Sequence, residues 1–512
     1  MQNHKPFCPY LSKTPNKCGG CEINAPYPTQ LATKKERILE VFGKDLEYAD
    51  FRAFASPEVG YRARAEFRIY RENKTSQNTT TDKNNLAQIS LAMMSATNHQ
   101  AQQIAQNFQT NQINNKTNKS IKIPIKSCPI LLPNISLALK SFMDLINDLV
   151  QSKNQQDYEV LANKLYAIEA LGVANPPDFT ISKNPNFDFT NHQNLSVILT
   201  LIYHKKLDKK WEQKAKELSQ KLPQNLALIG RSKNQKITLK TDKLLESIAL
   251  EKAYIFLRSE GRFSQPNAYI NPLMIGFVKD AIKSHKKEDL LELYCGEGNF
   301  CVSLASEFRR VLATEVVKSS IPALKENAKN NGITNITALR LSGEESIEAL
   351  EGKREFFRAR EVDLDSFRFS HILIDPPRSG ISGSGIGGGK INGNILSGNE
   401  ISKDEINKSK ISANQLDNTK TNTKNANQNP PQKARKMLNF IAKHDYIIYI
   451  SCNPLSLKND LSILLKTHQI THFGLFDQFP HTHHIESALI LKKHQNPHKS
   501  TPNPYLPHKN VL

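Results

Sequence analysis

The sequence predicts an α/β chain whose C-terminal half is a doubly wound, mostly parallel sheet and whose N-terminal half is a separate α+β domain. Three observations carry this. From about Ala253 onward the apolar runs DLLELYC, RVLATEV, HILID, YIIYIS and SALILK alternate with helix-length segments, the pattern of parallel strands joined by crossover helices in a Rossmann-like domain. Upstream, alternating runs such as GYRARAEFRIY and LSVILTLIYHKK are mixed with helical ones such as LDKKWEQKAKELSQKL, an α+β pattern. At 512 residues the chain has room for more than one core.

The elements follow in order. Residues 1–45 hold CPYLSKTPNKCGGC and a helix from about Tyr27 to Phe42; residues 46–252 form the α+β domain; residues 253–495 form the Rossmann-like domain; residues 496–512 are a disordered His/Pro/Asn/Lys-rich tail. Polar stretches near 73–87, 97–120 and 381–433 cannot bury a core and read as insertions to exclude from the fold.

Lysine and arginine number 69 against 49 aspartates and glutamates, a formal charge of +20 with pI near 9.4. Such a balance favours a polyanionic partner such as nucleic acid, although charge alone fits a membrane surface equally. No run reaches the ~18 apolar residues of a spanning helix, and MQNHKPFCPY has no signal-peptide core. A cytoplasmic protein without membrane contact is expected. Seven cysteines in such a chain point to metal or catalytic roles rather than to disulfides.

DLLELY runs into CGEGNF, which places Gly296 and Gly298 in a strand-to-helix turn where the backbone approaches a ligand. Glu315 ends the next strand, where a carboxylate accepts both hydroxyls of a ribose. With no third glycine and no phosphate-cradling lysine, S-adenosylmethionine (SAM) fits this set better than a dinucleotide. Asp375 ends HILID at the rim where ligands of such sheets bind; a tight turn through Pro-Pro is the other reading. Arg378 follows where enzymes that methylate base nitrogens carry an aromatic residue, which disfavours nitrogen as the acceptor.

YIIYISCNP sets Cys452 at the end of a buried strand, before an Asn-Pro that stops it. A lone cysteine there packs like a small hydrophobe. Strand counting, however, puts Cys452 on the rim that carries Tyr294, Asn299 and Asp375. Methylation of a poor nucleophile such as C5 of uracil requires a thiol: attack on C6 makes C5 nucleophilic, and a base then removes the C5 proton. FDQFPHTHHIESALIL supplies Glu486 before the last strand, with His483 and His484 beside it. A capping role is also open to this carboxylate, and the His-His-x-Glu spacing matches no standard zinc motif.

ELYCGEGNF, IDPPRSG, ISCNP and FDQFPHTHHIE, with RFSQPNA upstream, resemble the signature set of RNA uracil-C5 methyltransferases, most closely the tRNA (uracil-5-)-methyltransferase family. GYRARAEFRIY, LIYHKKLDKKW and LIGRSKNQKITL resemble that family's RNA-binding region, so the likeness spans most of 46–493 outside the insertions. It implies a SAM-dependent enzyme with Cys452 as nucleophile and Glu486 as base. It also implies SAM contacts from Gln265, Tyr294, Asn299, Glu315 and Asp375, and 5-methyluridine at position 54 of the tRNA T-loop as product. In the α+β domain Arg62, Arg64 and Arg68 share a strand face opposite Tyr61, Ala63, Ala65, Phe67 and Ile69, suited to RNA phosphates or to a solvated surface. Extruding a stacked uridine costs a few kcal/mol; Phe263 is the candidate to take over its stacking, and Arg378 a further RNA contact.

Cys8 and Cys18-Gly-Gly-Cys21 depart from the tRNA family. They resemble the cysteine motif of the related 23S ribosomal RNA uracil-C5 methyltransferases, which holds an iron–sulfur cluster, and Cys128 in KSCPILLPNI offers a fourth ligand. The spacing from Cys8 to Cys18 is longer than usual there. Four thiolates suit a [4Fe-4S] cluster, the favoured reading, or tetrahedral zinc, with no metal as the remaining alternative. Ribosomal RNA is therefore the alternative substrate; the short helix between Cys21 and the tRNA-like region, and the ending QFPHTHHIE, favour tRNA. A non-catalytic tRNA-binding or folding factor is the alternative of another class.

Overall fold

In a computed structural model of the chain the described residues are 7–11, 17–71, 87–95, 121–151, 155–175, 195–385 and 431–494. The expected insertions near 73–87, 97–120 and 381–433, and the tail, lie outside them except at their ends. One such end, Ile381, is buried, and its N–H donates to Asp460 at 2.9 Å.

The first helix, α1 (Tyr27–Phe42), leads into β1 (Asp50–Phe54). The α+β domain follows: β2 (Arg64–Arg71), β3 (Ile89–Met94), β4 (Lys122–Ile125), α2 (Pro133–Gln151), α3 (Gln155–Ala162), β5 (Leu165–Gly172), β6 (Val197–Tyr203), α4 (Lys209–Lys221), β7 (Leu226–Ser232) and β8 (Gln235–Thr238). Its seven strands form one sheet in the order β4-β3-β2-β5-β6-β7-β8. Alternation decides the faces: Tyr61, Ala63, Phe67 and Ile69 are buried as the pattern requires. α4 starts where Asp208 accepts the Trp211 N–H at 2.8 Å. The expected boundary at 252 falls in the turn of a two-stranded hairpin, β9 (Lys243–Ala249) and β10 (Ala253–Ser259).

The remaining elements are α5 (Ile270–Ala281), β11 (Asp289–Leu293), α6 (Asn299–Leu304), β12 (Arg310–Thr314), α7 (Ser320–Asn330), β13 (Ile336–Leu339), α8 (Gly343–Leu350), β14 (Phe369–Ile374), α9 (Gln432–Ile441), β15 (Tyr446–Ser451), α10 (Pro454–Leu464), β16 (His468–Phe476) and β17 (Glu486–Lys493). They build an eight-stranded sheet in the order β1-β16-β17-β15-β14-β11-β12-β13. The five strands expected from the apolar runs are β11, β12, β14, β15 and β17. β17 runs antiparallel to both of its neighbours; the rest of the sheet is parallel.

The outer edge is filled from far away in the chain. β1 pairs in parallel with β16, Phe51 beside Phe473, and Ile38 and Phe42 of α1 join the apolar core of Ile372, Tyr449 and Phe473. Residues 27–54 thus pack with the C-terminal sheet, although the sequence reading divides them between the N-terminal arm and the α+β domain. A five-residue strand carries no mark of the partner it will find.

Candidate active site

Tyr294, Glu315, Asp375, Cys452 and Glu486, the residues expected to carry the chemistry, stand along one edge of the C-terminal sheet. Leu293 is level with Thr314 and Ile374, and Ile374 with Tyr449. Tyr294, Glu315 and Asp375 therefore leave the sheet side by side, and Cys452 emerges after β15. The antiparallel β17 places Ser487 opposite Ser451; continued by one residue, this register sets Glu486 opposite Cys452. A parallel last strand would have delivered Glu486 to the other end of the sheet.

On the cofactor side, Tyr294 takes φ +62° and Gly298 φ +89°, a region L side chains rarely adopt. A Cβ on Gly298 would stand 2.9 Å from Val302, so only glycine lets the loop turn this tightly into α6. Glu315 accepts the Gly296 N–H at 3.1 Å on one oxygen and the Val317 N–H at 2.8 Å on the other. That fixes the carboxylate while leaving lone pairs for two hydroxyls. Asp375 is pushed up to about 7 by burial. Gln265 accepts from Gln478 at 2.6 Å. Asn299 is committed elsewhere: it exchanges amide hydrogen bonds with Asn271 at 2.9 and 2.8 Å and accepts from Arg258 at 3.3 Å, joining α6 to α5. Sequence reading misses Glu292, buried in β11 beneath these groups, with one carboxylate oxygen lacking a partner among the described residues. Burial lifts it to about 8; the signal was a lone acid inside DLLELY.

The reaction niche is short of positive charge. Burial, then Glu486 and Asp375, push the Cys452 thiol up to about 12, and Arg378 opposes them. Glu486 is itself raised well above the usual carboxyl range by burial and by Asp375. Arg378 is held at 2.9 Å from His484 Nδ1. Cys452 also precedes α10, whose first turn Asn453 caps by accepting from Leu455 N–H at 3.1 Å; the positive end of that helix favours a thiolate.

A braced turn, residues 477–485, delivers Glu486. His481 adopts φ +65° and is held on every side. Its carbonyl accepts Glu22 and Ile23 N–H at 2.8 and 3.0 Å, its N–H donates to Gln30 at 2.8 Å, and Phe7 stacks on its ring at 3.5 Å. Lys34 reaches Asp477 at 2.6 Å, and Tyr61 donates to the Pro480 carbonyl at 3.1 Å.

The expected RNA contacts separate. Phe263 is 72% exposed on the turn before Gln265. Arg64 is half-buried beneath that turn, donating to the Arg262 carbonyl. Arg62 lines a pocket with Cys8, Cys18, Cys21 and Cys128, and Arg68 lies over the Tyr166 ring at 4.4 Å. An arginine's strand face is legible in sequence; the loop that folds over it is not.

The four thiols expected to bind metal thus surround a single pocket. The Gly20 N–H points at Cys18 Sγ at 3.4 Å. Cys128 is raised to about 11, mainly by burial with Cys18 and Cys8 adding, and Cys21 is raised by burial, then by Cys128, Cys18 and Cys8. Such crowding of thiols is relieved by a bound cation. Among the described residues no group of three or more His, Cys, Asp or Glu side chains is arranged to hold a metal ion as it stands. No helix among them is long and apolar enough to cross a membrane.

The sequence model of the tRNA (Uracil-5-)-methyltransferase family matches residues 26–167, 130–397 and 415–494. The chain is 35% identical over 503 residues to the tRNA/tmRNA (uracil-C(5))-methyltransferase of Helicobacter hepaticus, covering 93% of this chain and 97% of that one. It is 32% identical over 490 residues to the protein of the same name from Wolinella succinogenes, covering 95% and 99%. Among solved structures it resembles the Pyrococcus abyssi tRNA (uracil-54, C5)-methyltransferase in complex with S-adenosyl-L-homocysteine, with a TM-score of 0.51 at 15% identity over 91% of this chain and 84% of that one, a likeness of fold.

Proposed function

Because the chain belongs to the tRNA (uracil-5-)-methyltransferase family, a family of SAM-dependent enzymes, we propose that it methylates C5 of uridine 54 in the tRNA T-loop through a covalent adduct between Cys452 and C6. The observation that carries this reading is the antiparallel register that sets Glu486 against Cys452 at the cofactor rim. The relatives' names extend the substrate class to tmRNA.

Tyr294, Glu315, Asp375 and the loop at Gly296 and Gly298 would hold SAM, which supplies an electrophilic methyl group. Cys452 attacks C6 of the extruded uracil, its proton leaving to solvent as the S–C6 bond forms, and the electrons of C5=C6 move toward C5 and O4. Arg378 and the first turn of α10 stabilise charge on the sulfur. After C5 is methylated, the Glu486 carboxylate takes the C5 proton, C5=C6 re-forms and the thiolate departs. Phe263 stacks on the displaced base.

For the cysteine pocket we favour a [4Fe-4S] cluster over zinc. A single zinc draws four sulfurs to about 2.3 Å from one point, and the thiols line the walls of a pocket instead. The cluster's place is structural, in the pocket that Phe7 also lines.

The test is methyl transfer from labelled SAM to an unmodified tRNA transcript, to the same tRNA with its T-loop uridine changed to cytidine, and to a ribosomal RNA fragment. Label on the first alone is expected; label on the ribosomal fragment alone overturns the substrate. RNA carrying 5-fluorouridine should trap a covalent complex through Cys452, and methyl transfer surviving Cys452→Ala would overturn the mechanism.

A further inference from the structure

The α+β domain carries a second cationic pocket, far from the reacting cysteine, that none of these roles uses. It opens where β2, β4, the turn between α3 and β5, and the end of β6 meet, lined by Tyr70, Arg71, Lys122, Lys164, Tyr166 and His204. Lys122, Lys164 and His204 are exposed. Among the described residues none of its four basic side chains, Arg71, Lys122, Lys164 and His204, forms an ion pair. Arg71 is aimed by two backbone carbonyls, Ala162 at 2.7 Å and Leu165 at 3.1 Å, and its other terminal nitrogen, itself buried, has no partner among the described residues. Burial, then the charges of Arg68 and Arg71, lower the Lys122 ammonium from its ordinary value. Lys164 sits at φ +59° in the turn between α3 and β5, a left-handed conformation that is costly for a lysine.

Crowded, unneutralised cations around a concave site fit a polyanion's phosphate. On β2 the pocket is lined by Ile69, Tyr70 and Arg71, five to seven residues beyond Arg64, whose guanidinium lies under the turn that bears Phe263, so it is roughly 16–23 Å along the strand from that arginine at about 3.3 Å per residue. Between the two, the same face carries Glu66 in register with Glu169; Glu66 is paired with Arg68 at 3.1 Å, and Glu169 is raised to about 7 by burial, then by Glu66 and Glu260. An RNA strand tracking along this face would have to cross those carboxylates. A folded RNA touching the face at two separate points would not.

We propose that this pocket binds a backbone phosphate of the substrate RNA outside the T-arm, giving the enzyme a second, non-catalytic hold on the tRNA body; the inference rests on tRNA being the substrate.

The test compares full-length tRNA with an isolated T-arm stem-loop, using wild type, Lys122→Ala/Lys164→Gly and, to reverse the charge, Lys122→Glu. Glycine at 164 removes the ammonium while relieving the backbone. For full-length tRNA the double variant should raise KM about tenfold with kcat unchanged and flatten the dependence of log KM on log salt by about one to two. Its KM for the stem-loop should equal that of wild type. Equal losses on both RNAs, or none on either, would overturn the second hold. If wild type methylates neither RNA, the proposed function itself has failed.

Discussion

Lys34 in the first helix lies 2.6 Å from Asp477, their side chains only 4% and 0% exposed, although 443 positions separate them in the chain. The same ammonium donates to the Phe479 carbonyl at 3.0 Å. One buried charge therefore ties α1 to the turn that presents Glu486, the proposed base. Lys34→Met strands Asp477 in a dry site, a change that costs about 3–5 kcal/mol when a buried pair is broken. Thermal unfolding should show that loss, and Lys34→Met/Asp477→Leu should recover most of it. A single variant as stable as wild type would mean that Asp477 is satisfied without Lys34.

Glu486→Gln should separate two properties. Turnover is lost because no carboxylate remains to take the C5 proton, while the covalent adduct with methylated RNA accumulates. Stability moves the other way. Glu486 has a folded value raised above its unfolded one, so its ionisation weakens the fold as pH rises past about 4.3. At pH 8 the glutamine variant should be more stable than wild type. For wild type, kcat should rise with pH, since only ionised Glu486 accepts the proton. Denaturation and pH–rate profiles check both.

Buried histidines at the opposite end of the sheet set an acid limit. His285 and His371 stand 3.1 Å apart, and the Tyr446 ring stacks on them at 3.9 and 4.5 Å. Burial lowers His285 to about 4, His371 to about 3 and His444 to about 4. Folded values below the unfolded ~6.5 mean that their contribution is whole above that pH and declines below it, because the unfolded chain binds more protons. The buried acids act in the opposite sense, so the comparison must be internal. Between pH 7.5 and 5, His371→Phe should lose about 1–2 kcal/mol less stability than wild type.

Phe263→Ala should cost function without costing the fold. Its ring is 72% exposed, so unfolding should shift by no more than about 0.5 kcal/mol. Losing a stacking partner for the extruded base is worth about 1–3 kcal/mol, a fall in kcat/KM of roughly five- to 150-fold. Unchanged kinetics would assign the stacking to another group.

Protein purified without oxygen should carry iron and absorb visible light, and Cys128→Ser should remove both. Because Phe7, next to Cys8, stacks on His481, that variant should also become more open to proteolysis near residues 7–23. Metal-free wild-type protein with the same proteolytic pattern as the variant would sink the cluster.

Much of the candidate rim's placement was legible in the sequence. Parallel strands buried on both faces announce themselves as apolar runs, and the residues that end them, Tyr294, Glu315, Asp375 and Cys452, follow by counting. Period-two alternation sorted β2 correctly into a buried and a polar face. It could not say what would cover the polar one, and so Arg62 turned out beside the cysteines and Arg64 beneath a turn. Asn299 occupies the predicted position, but its amide is taken by Asn271, a partner no local pattern reveals. β13 and β16 lacked a strong apolar run, and the brace on His481 is assembled from segments hundreds of residues away.

The parallel pairing of β1 with β16 has a consequence for how the protein is made. The strand that closes the edge of the catalytic sheet leaves the ribosome long before the strand it must join, and the whole α+β domain is synthesised in between. Until residues 468–476 emerge, that early segment has no place to dock; a fragment beginning at residue 253 would never have it, and would display β16 as a bare, hydrogen-bond-hungry margin ready to recruit other chains. Cutting the polypeptide at its apparent domain boundary should therefore yield inclusion bodies, not a minimal methyltransferase, unless residues 27–54 are supplied in trans.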